Sequence, residues 1–335
     1  MVGTMLEELT GRRVALRHRI APDDSPGPRF SDAVGELAAD GPDVVIVHTR
    51  SGPVRVARDA VVAVREVPAA PRRRPSWTAV ERLELVRAAA WPAPTRQDLG
   101  RWRLRAASGY SMRANSALAL GDPGMPVEHA LAEVVRFAEQ HRIRPLVQVP
   151  VGSPWSRRIL GAGWVPVGSV GSVGSVGEVL VLVAPAHPDD GPVPDWPAAP
   201  GPDWWSPHGS VPAAGDPALR VLVPDGPDAP ALGFGLLRAA DGTPAAAVRA
   251  AVVDEHLYLA RLAVRPDLRS RGLGGRLTRH ALAWGCAHGA RHAVLDVTAD
   301  NDAARSLYAR LGWTEHHRYH YLAPGPPASG DRSPL

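Results

Sequence analysis

The alternation of hydrophobic and polar positions separates an N-terminal region of predicted strands from a longer region in which strands and helices alternate. In the first 70 residues, four segments alternate as half-buried strands do, and turn residues such as Gly52 and Pro53 lie between them. The four segments are residues 13–20, 43–48, 54–57 and 61–67. Several short strands separated by turns predict a small β-barrel over residues 1–70.

From residue 76 onward, strand patterns alternate with amphipathic helices, which is typical of an α/β fold. Two segments, residues 116–164 and 259–313, share the order strand, turn, helix, strand, helix and a final Gly-Trp. A gapless superposition places Ile159 on Tyr308. We interpret this order as an internal repeat whose first copy has lost its cofactor site; an unrelated α/β unit that happens to end in Gly-Trp is the alternative.

A glycine-rich turn between a predicted strand and a predicted helix is the strongest functional signal in the chain. Arg269, Gly272 and Gly274 occur in the order Arg-x-x-Gly-x-Gly. Glycines have no Cβ, so main-chain N–H groups can converge on one anion, and the start of a helix favours a phosphate there. Gly275 and Arg276 stand where a Walker loop requires lysine and serine or threonine, and no Gly-x-Gly-x-x-Gly spacing is present. The turn therefore predicts a pyrophosphate site.

A second motif follows this turn in the chain. After a predicted strand at residues 292–298, Asn301 begins a helix-capping turn, and the next predicted helix carries Tyr308 and ends at Gly312. Together, the two motifs resemble the GNAT superfamily of acyl-CoA-dependent N-acetyltransferases over residues 230–322. The resemblance implies an α/β (α+β) GNAT fold with a mixed central sheet.

The resemblance also implies acetyl-CoA as co-substrate and assigns residues to it. The main chain of one strand would pair with the pantetheine arm, the glycine turn would bind the pyrophosphate, and the next helix would contact the arm. These cofactor-binding residues are Leu262, Ala263, Val264, Arg269, Ser270, Arg271, Gly272, Leu273, Gly274, Gly275, Asn301, Ala304 and Tyr308.

The reaction implied by the resemblance is direct attack of a neutral primary amine on the thioester carbonyl. A main-chain N–H of the cofactor strand would bind the oxyanion, and Tyr308 would protonate the departing thiolate. Glu255 is predicted as the general base, acting through water, with Asp254, His256 and Asp296 as alternatives.

The histidine-rich segment at residues 316–321 raises the question of a metal. In a strand, His316, Arg318 and His320 share one face. A guanidinium between two imidazoles disfavours a cation, so no metal site is predicted, and a substrate-facing strand or a structural last strand is expected instead.

The charge composition of the chain limits the classes of binding partner that are expected. The net charge of +4 is carried by arginine alone, since the chain contains no lysine, and acidic residues are interspersed with the arginines. A nucleic-acid-binding domain would cluster its positive charge, so nucleic acid is not an expected partner, and the run at residues 72–74 is interpreted as a solvated linker.

No apolar stretch has transmembrane length and no signal peptide is visible, which predicts a cytoplasmic protein without a membrane partner. The single cysteine, Cys286, excludes an internal disulfide.

The whole layout resembles bacterial proteins with an SH3-like barrel and a GNAT domain, some of which are labelled N-acetylglutamate synthase. The predicted parts are an SH3-like β-barrel (1–70), a degenerate GNAT-like unit (76–184), a Pro/Gly-rich linker (185–217), a catalytic GNAT domain (218–323) and a disordered tail (324–335). The tryptophans of the linker are expected to be packing anchors.

The acceptor stays open between a small-molecule and a peptide amine. The synthase label would make it glutamate, and Arg113, Arg261 and Arg318 are candidates to bind its carboxylate, although Arg113, Asn115 and Ser116 are expected to be ordinary surface residues. The alternative function is a non-catalytic acyl-CoA sensor or scaffold in which the barrel binds a partner.

Overall fold

The computed structural model describes residues 2–20, 30–49, 52–67, 74–168, 177–187, 193–213 and 215–326. The chain forms two compact units, residues 1–73 and 74–335. Predictions about Arg72 and Arg73, the Gly-Ser-Val repeat at residues 169–176 and the tail beyond residue 326 lie outside the described residues. In the described part of the chain, no helix is long and apolar enough to cross a membrane.

The first unit is a five-stranded antiparallel sheet in the order β4-β3-β2-β1-β5. Its elements are α1 (Val2–Glu8), β1 (Arg13–Arg19), β2 (Phe30–Ala39), β3 (Val44–Thr49), β4 (Gly52–Ala57) and β5 (Val61–Glu66). The four predicted strands are confirmed to within two residues. Over residues 2–20, 30–49 and 52–67, no ladder joins β4 to β5, so the predicted barrel is not closed.

The sequence pattern missed β2 because its buried face contains Ala33, Gly35 and Leu37, of which two are small. Gly35 has a structural reason, since a Cβ there would lie 2.1 Å from the His48 carbonyl oxygen. A small inward face weakens the alternation by which a strand is recognised.

The second unit is built on one eleven-stranded mixed sheet. Its elements are α2 (Trp77–Ala90), β6 (Thr95–Leu99), β7 (Trp102–Ala106), β8 (Ala117–Leu118), α3 (Val127–Gln140), β9 (Val147–Pro150), α4 (Pro154–Gly161), β10 (Trp164–Pro166), β11 (Val179–Pro185), α5 (Pro202–Trp205), α6 (Pro217–Leu222), β12 (Ala231–Arg238), β13 (Pro244–Val253), β14 (His256–Val264), α7 (Leu273–Ala287), β15 (His292–Thr298), α8 (Asp302–Arg310) and β16 (Thr314–Pro324). The sheet order is β12-β13-β14-β15-β11-β16-β9-β8-β7-β6, and β10 pairs with β16. The predicted mixed α/β architecture is confirmed.

Helices cover both faces of this sheet. Along β11, Val181 packs in the cluster that contains Leu83 of α2, whereas Leu182 packs in the cluster that contains Leu277 and Ala281 of α7. Successive side chains of a strand point to opposite faces. The sheet therefore separates an α2 face from an α7 face.

The two α/β halves of this unit, β8-α3-β9-α4-β10 and β14-α7-β15-α8-β16, have the same element order, and each contains one parallel strand pair. They also exchange strands. β11 follows the first half in the chain but lies between β15 and β16, where Val181 pairs with Asp296 and His317. The end of β16 in turn lies against β9 and β10 of the first half. Residues 76–184 and 218–323 therefore both contribute strands to one sheet.

The predicted linker at residues 185–217 supplies part of the core. Trp204 of α5 is buried, and its indole N–H donates to the Val248 carbonyl at 3.1 Å. Trp196 stacks on Trp284 of α7 with 5.9 Å between ring centroids. These tryptophans are packing anchors, as expected.

Candidate active site

The sheet opens between the cofactor strand β14 and its parallel neighbour β15. The two strands pair only from His256–Leu259 with His292–Leu295, although β14 continues to Val264 and β15 to Thr298. Beyond this point, each strand is paired on its other side, β14 with β13 and β15 with β11. The second half of β14 therefore presents a free edge to a gap in the sheet.

A bulge in β14 accompanies this opening. Arg261 has φ of 57°, and the register with β13 shifts at this level. Beyond the bulge, the Arg265 N–H donates to the Ala245 carbonyl of β13 at 2.9 Å. In an antiparallel ladder, alternate residues of a strand direct their main-chain N–H and C=O groups toward opposite neighbours. The main-chain groups of Leu262 and Val264 therefore point away from β13. These groups face the gap, where an extended amide-containing chain can pair with them.

The glycine turn follows β14 directly and leads into α7. Ser270 and Gly272 both have positive φ, 60° and 77°. Among the described residues, none of the main-chain N–H groups of residues 270–275 donates to a protein acceptor, and the first helical bond is from the Arg276 N–H to the Gly272 carbonyl at 3.0 Å. Successive free N–H groups at a left-handed turn and a helix start form an anion-binding site.

Charge and close packing complete this turn. Arg269 and Arg271 are exposed beside it and add positive charge. Gly274 lies where α8 crosses α7, and a Cβ there would lie 3.2 Å from Leu307 Cδ2. Glycine is therefore required at position 272 for its positive φ, and it is favoured at position 274 because a larger side chain would crowd Leu307.

Helix α8 brings Asn301 and Tyr308 to the same side of the sheet. The Asn301 side chain accepts the Ala304 N–H at 3.0 Å, which makes it the N-cap of α8. Tyr308 is buried edge-to-face against Trp313, with ring centroids 5.6 Å apart, and burial raises its pKa well above the ordinary value. Within the described residues, its hydroxyl has no hydrogen-bond partner. The hydroxyl oxygen nevertheless retains some contact with solvent. The hydroxyl is a protonated donor that is available to a ligand.

Glu255 lies at the opposite end of β14 from the glycine turn. Its carboxylate faces Arg291 at 3.6 Å, and it lines a cavity of about 480 Å³ together with His256 and His292. The closed, paired half of β14 and β15 separates this cavity from the gap. The structure therefore does not bring Glu255 together with Tyr308.

A buried polar network, which sequence reasoning largely missed, lies on the α2 face beside the gap. Asp296 of β15 accepts a hydrogen bond from the Tyr258 hydroxyl at 2.6 Å. It also forms ion pairs with Arg113 at 2.8 Å and with Arg87 of α2. Arg87 in turn pairs with Glu84. The network places Tyr258 of the cofactor strand in a fixed, charged environment.

The same network extends toward the first half. The His317 ring bonds Glu84 at 2.6 Å, and the Gln148 amide donates to Glu84 at 2.9 Å while accepting from Arg105 at 2.8 Å. Burial alone would raise the pKa of Glu84, but the charge of Arg87 and the bond from His317 lower it to about 2. Glu84 is therefore an ionised buried carboxylate.

The expectation that Arg113, Asn115 and Ser116 are surface residues is wrong. Asn115 and Ser116 are buried, and the Asn115 side chain accepts the N–H groups of Ala107 and Gly109 at 2.8 and 3.0 Å. The Arg113 side chain is only 18% exposed. Their segment lies between two short strands, where sequence alone resembles a polar loop.

The histidines of β16 have structural partners. His317 bonds Glu84, His316 lies against His317 with 2.8 Å between Nδ1 atoms, and the His320 ring contacts the Ser156 hydroxyl at 3.1 Å. Burial lowers the pKa of His316 to about 4. These contacts tie the two halves together rather than facing the gap.

Comparison with known proteins assigns both units to described families. A family model described as the C-terminal part of the probable histone acetyltransferase Rv0428c matches residues 78–322, and one described as the Rv0428c N-terminal Sm-like domain matches residues 9–65. The probable histone acetyltransferase Rv0428c of Mycobacterium tuberculosis (strain ATCC 25618 / H37Rv) is 30% identical over 326 residues, which cover 93% of this chain and 94% of that protein. The first unit thus matches an Sm-like description, and the SH3-like label stays a prediction.

Two further similarities are to N-acetyltransferases. N-alpha-acetyltransferase 30 of Schizosaccharomyces pombe is 38% identical over 69 residues, which cover 20% of this chain and 46% of that protein. A GCN5-related N-acetyltransferase from Kribbella flavida superposes with a TM-score of 0.52 and 19% identity, covering 74% of this chain and 97% of that chain. The latter shows the GNAT fold.

Proposed function

Because this chain belongs to the family of the probable histone acetyltransferase Rv0428c, we propose that it moves an acetyl group from acetyl-CoA to a primary amine by direct attack. Family membership makes the chain a GNAT-type, acyl-CoA-dependent acetyltransferase. The observation that carries the proposed donor is the glycine turn, where six consecutive N–H groups at residues 270–275 have no protein acceptor within the described part of the chain.

In this proposal, the donor lies along the free edge of β14. The main chain of Leu262, Ala263 and Val264 pairs with the pantetheine amides, and residues 270–275 bind the pyrophosphate with charge from Arg269 and Arg271. Helix α8 and its N-cap, with Asn301, Ala304 and Tyr308, border the arm from the other side of the gap. The support is their position: all of these residues lie at one end of the opened strand pair.

The acceptor amine approaches from the α2 face. Helices α7 and α8 occupy the other face, so a gap through the sheet exposes the thioester carbonyl to an amine from the side of Tyr258 and Asp296. As the new C–N bond forms, a main-chain N–H of β14 stabilises the oxyanion. The C–S bond then breaks, and the Tyr308 hydroxyl gives its proton to the thiolate.

Glu255 is not part of this mechanism, because it lies beyond the closed end of β14 and faces Arg291. The amine loses its proton toward the polar groups of the α2 face, among which the Tyr258 hydroxyl is hydrogen-bonded to Asp296. This assignment makes Tyr258 a candidate for the proton path, in place of the predicted glutamate.

Two kinds of acceptor remain within the proposal. The name of the Mycobacterium tuberculosis relative favours a histone as acceptor, and the sequence resemblance favours an amino acid such as glutamate. A coenzyme A release assay with the full chain, acetyl-CoA and a panel of amino acids, polyamines and peptides tests the proposed reaction. Thiol release that depends on an amine supports it, and saturable acetyl-CoA binding without amine-dependent release contradicts it.

A further inference from the structure

The α2 face beside the gap contains more buried positive charge than its carboxylates neutralise. Arg87, Arg105 and Arg249 are each at most 2% exposed, and the Arg113 side chain is largely buried. The carboxylates paired with this group are Glu84 and Asp296. Burying a charge without a counter-ion costs free energy. The excess therefore indicates a site that an anion completes.

Arg249 shows the imbalance most clearly. It is fully buried, and it donates to two main-chain carbonyls, Leu222 at 2.8 Å and Ala90 at 3.0 Å, while its Nη2 has no partner among the described residues. No carboxylate pairs with it in the described part of the chain. Burial lowers its pKa to about 9, which leaves it mostly charged at neutral pH.

A second guanidinium group, that of Arg113, lies close to Arg249. The Arg113 Cζ is 5.5 Å from the Trp91 ring centroid and the Arg249 Cζ is 5.2 Å from it, so both cations share one indole. Trp91 stacks on Tyr110 with centroids 6.2 Å apart. Burial raises the pKa of Tyr110, and the fields of Arg261, Arg249 and Arg113 oppose that rise, so all three act on this phenol.

Arg261 connects this group to the gap. It lies at the bulge of β14, one residue before the main chain that faces the opening, and its Nε is buried without a partner in the described residues. Arg261 and Arg113 are both partly exposed, whereas Arg249 is fully buried. Asp216, the acidic side chain whose field also acts on Tyr110, accepts the Ala218 N–H at 2.8 Å as a helix cap.

We propose that Arg113 and Arg261, backed by the charge of Arg249, bind a carboxylate of the acceptor, so that the preferred substrate is a small amine that carries a carboxylate, such as a free amino acid. This inference rests on the proposed function, because it requires the amine to enter from the α2 face. Arg261 is the specificity-determining residue, since it lies at the bulge of the cofactor strand. A lysine-rich peptide would bring further positive charge to a face that already has an excess.

The test compares acceptors that differ only in the carboxylate. With the full chain and acetyl-CoA, coenzyme A release is measured for L-glutamate and L-alanine, for L-glutamic acid diamide and L-alaninamide, which have no carboxylate, and separately for a histone H3 tail peptide. We expect kcat/KM to be about tenfold or more higher for the carboxylates, because a charge-assisted hydrogen bond is worth about 1.5–3 kcal/mol. Arg261→Gln should remove this preference without changing the dissociation constant of acetyl-CoA.

Arg318→Gln is the matched control, because Arg318 pairs with Glu178 at 3.0 Å and Glu315 at 2.8 Å on the surface, and it should keep the preference. Equal rates for carboxylates and carboxamides, or a preference for the histone peptide that Arg261→Gln leaves unchanged, would overturn the inference while keeping the acetyltransferase function.

If acetyl-CoA binds but no amine releases coenzyme A, the proposed reaction fails, and the arginine site is judged by calorimetry instead. Glutarate titrated into the acetyl-CoA-loaded chain should bind to the wild type and about tenfold more weakly to Arg261→Gln. Absence of glutarate binding to the wild type would refute the site itself.

Discussion

The two α/β halves of the second unit share an element order but differ in charge and in free donors at the turn before the crossover helix. Before α3, the Asp122 carboxylate accepts the Gly124 N–H at 2.8 Å, the Asp122 carbonyl accepts the Arg101 N–H at 2.7 Å, and Pro123 and Pro126 have no N–H at all. Before α7, the turn has arginines, no proline, and free donors at residues 270–275 within the described residues. The same supersecondary unit can therefore have a purely structural role or bind an anion, depending on whether its turn has main-chain N–H groups without a protein acceptor.

The halves also differ at the position of the proposed acid. Ile159 of α4 and Tyr308 of α8 are both buried, and each packs beside a tryptophan that follows its helix, Trp164 and Trp313. Both side chains pack in a hydrophobic core, but only Tyr308 carries a hydroxyl group that could donate a proton. Comparison of matched substitutions in the two halves therefore separates catalysis from packing.

The largest effect is expected from breaking the buried ion pairs of Asp296, which lies on β15 of the second half. Asp296→Asn leaves Arg87 and Arg113 without their shared counter-ion and should lower the free energy of unfolding by about 3–5 kcal/mol. Asp302→Asn is the control, because Asp302 is exposed beside Arg305, and it should change stability by less than about 0.5 kcal/mol. Equal denaturation midpoints for the two variants in a urea titration would contradict the account.

A bulky side chain in the glycine turn should have the next largest effect. Gly274→Val places branched carbon atoms against Leu307, where a Cβ alone already lies 3.2 Å away, and should weaken acetyl-CoA binding about 100-fold. Gly161→Val is the control in the first half, since a Cβ at Gly161 meets no atom within 4 Å. Equal acetyl-CoA affinities of the two variants would show that the turn is not the donor site.

Replacing Tyr308 by phenylalanine, which removes the hydroxyl, should reduce kcat by about 100-fold, the lower end of the contribution of a general acid. The dissociation constant of acetyl-CoA should not change, because the ring still packs against Trp313. Ile159→Val in the first half should leave kcat unchanged at a small stability cost of about 1 kcal/mol. An unchanged kcat in Tyr308→Phe, measured by coenzyme A release under saturating acetyl-CoA, would remove tyrosine from the mechanism.

A smaller effect is expected in acid. The folded-state pKa of Glu84 is about 2, below its ordinary value of 4.5, so its contribution to stability is complete above 4.5 and is lost as the pH falls toward 2. Unfolding free energy should therefore fall by at most about 1.4 kcal/mol per pH unit from this group. Glu84→Gln should be less stable at pH 7 and should flatten this part of the profile. A variant profile parallel to that of the wild type between pH 4.5 and 2 would exclude Glu84 as the cause.

Local signals made much of the candidate site predictable. The glycine turn, the Asn301 cap and the placement of Tyr308 on a helix each depend on a few neighbouring residues, and the structure brings them to one end of the opened strand pair. Long-range contacts were not predictable. Arg87 and Asp296 are 209 positions apart, and the insertion of β11 between β15 and β16 follows from no periodicity within β11 itself.

The Glu255 prediction illustrates the same limit. Sequence placed it next to the cofactor strand, and it is next to that strand, but at the end where β14 and β15 remain paired. Distance along the strand is readable from sequence, whereas the point at which two parallel strands separate depends on the bulge at Arg261 and on the partners of both strands.

The most direct test is calorimetric titration of acetyl-CoA into the wild type, Gly272→Ala and Gly124→Ala. Both glycines have φ of 77°, so alanine strains the two turns equally, by about 1–2 kcal/mol. We expect Gly272→Ala to bind acetyl-CoA about tenfold more weakly, because strain moves the main-chain donors away from the diphosphate, and Gly124→Ala to bind it as the wild type does. Equal affinities of both variants, or no heat with the wild type, would contradict the claim that the turn before α7 binds the diphosphate.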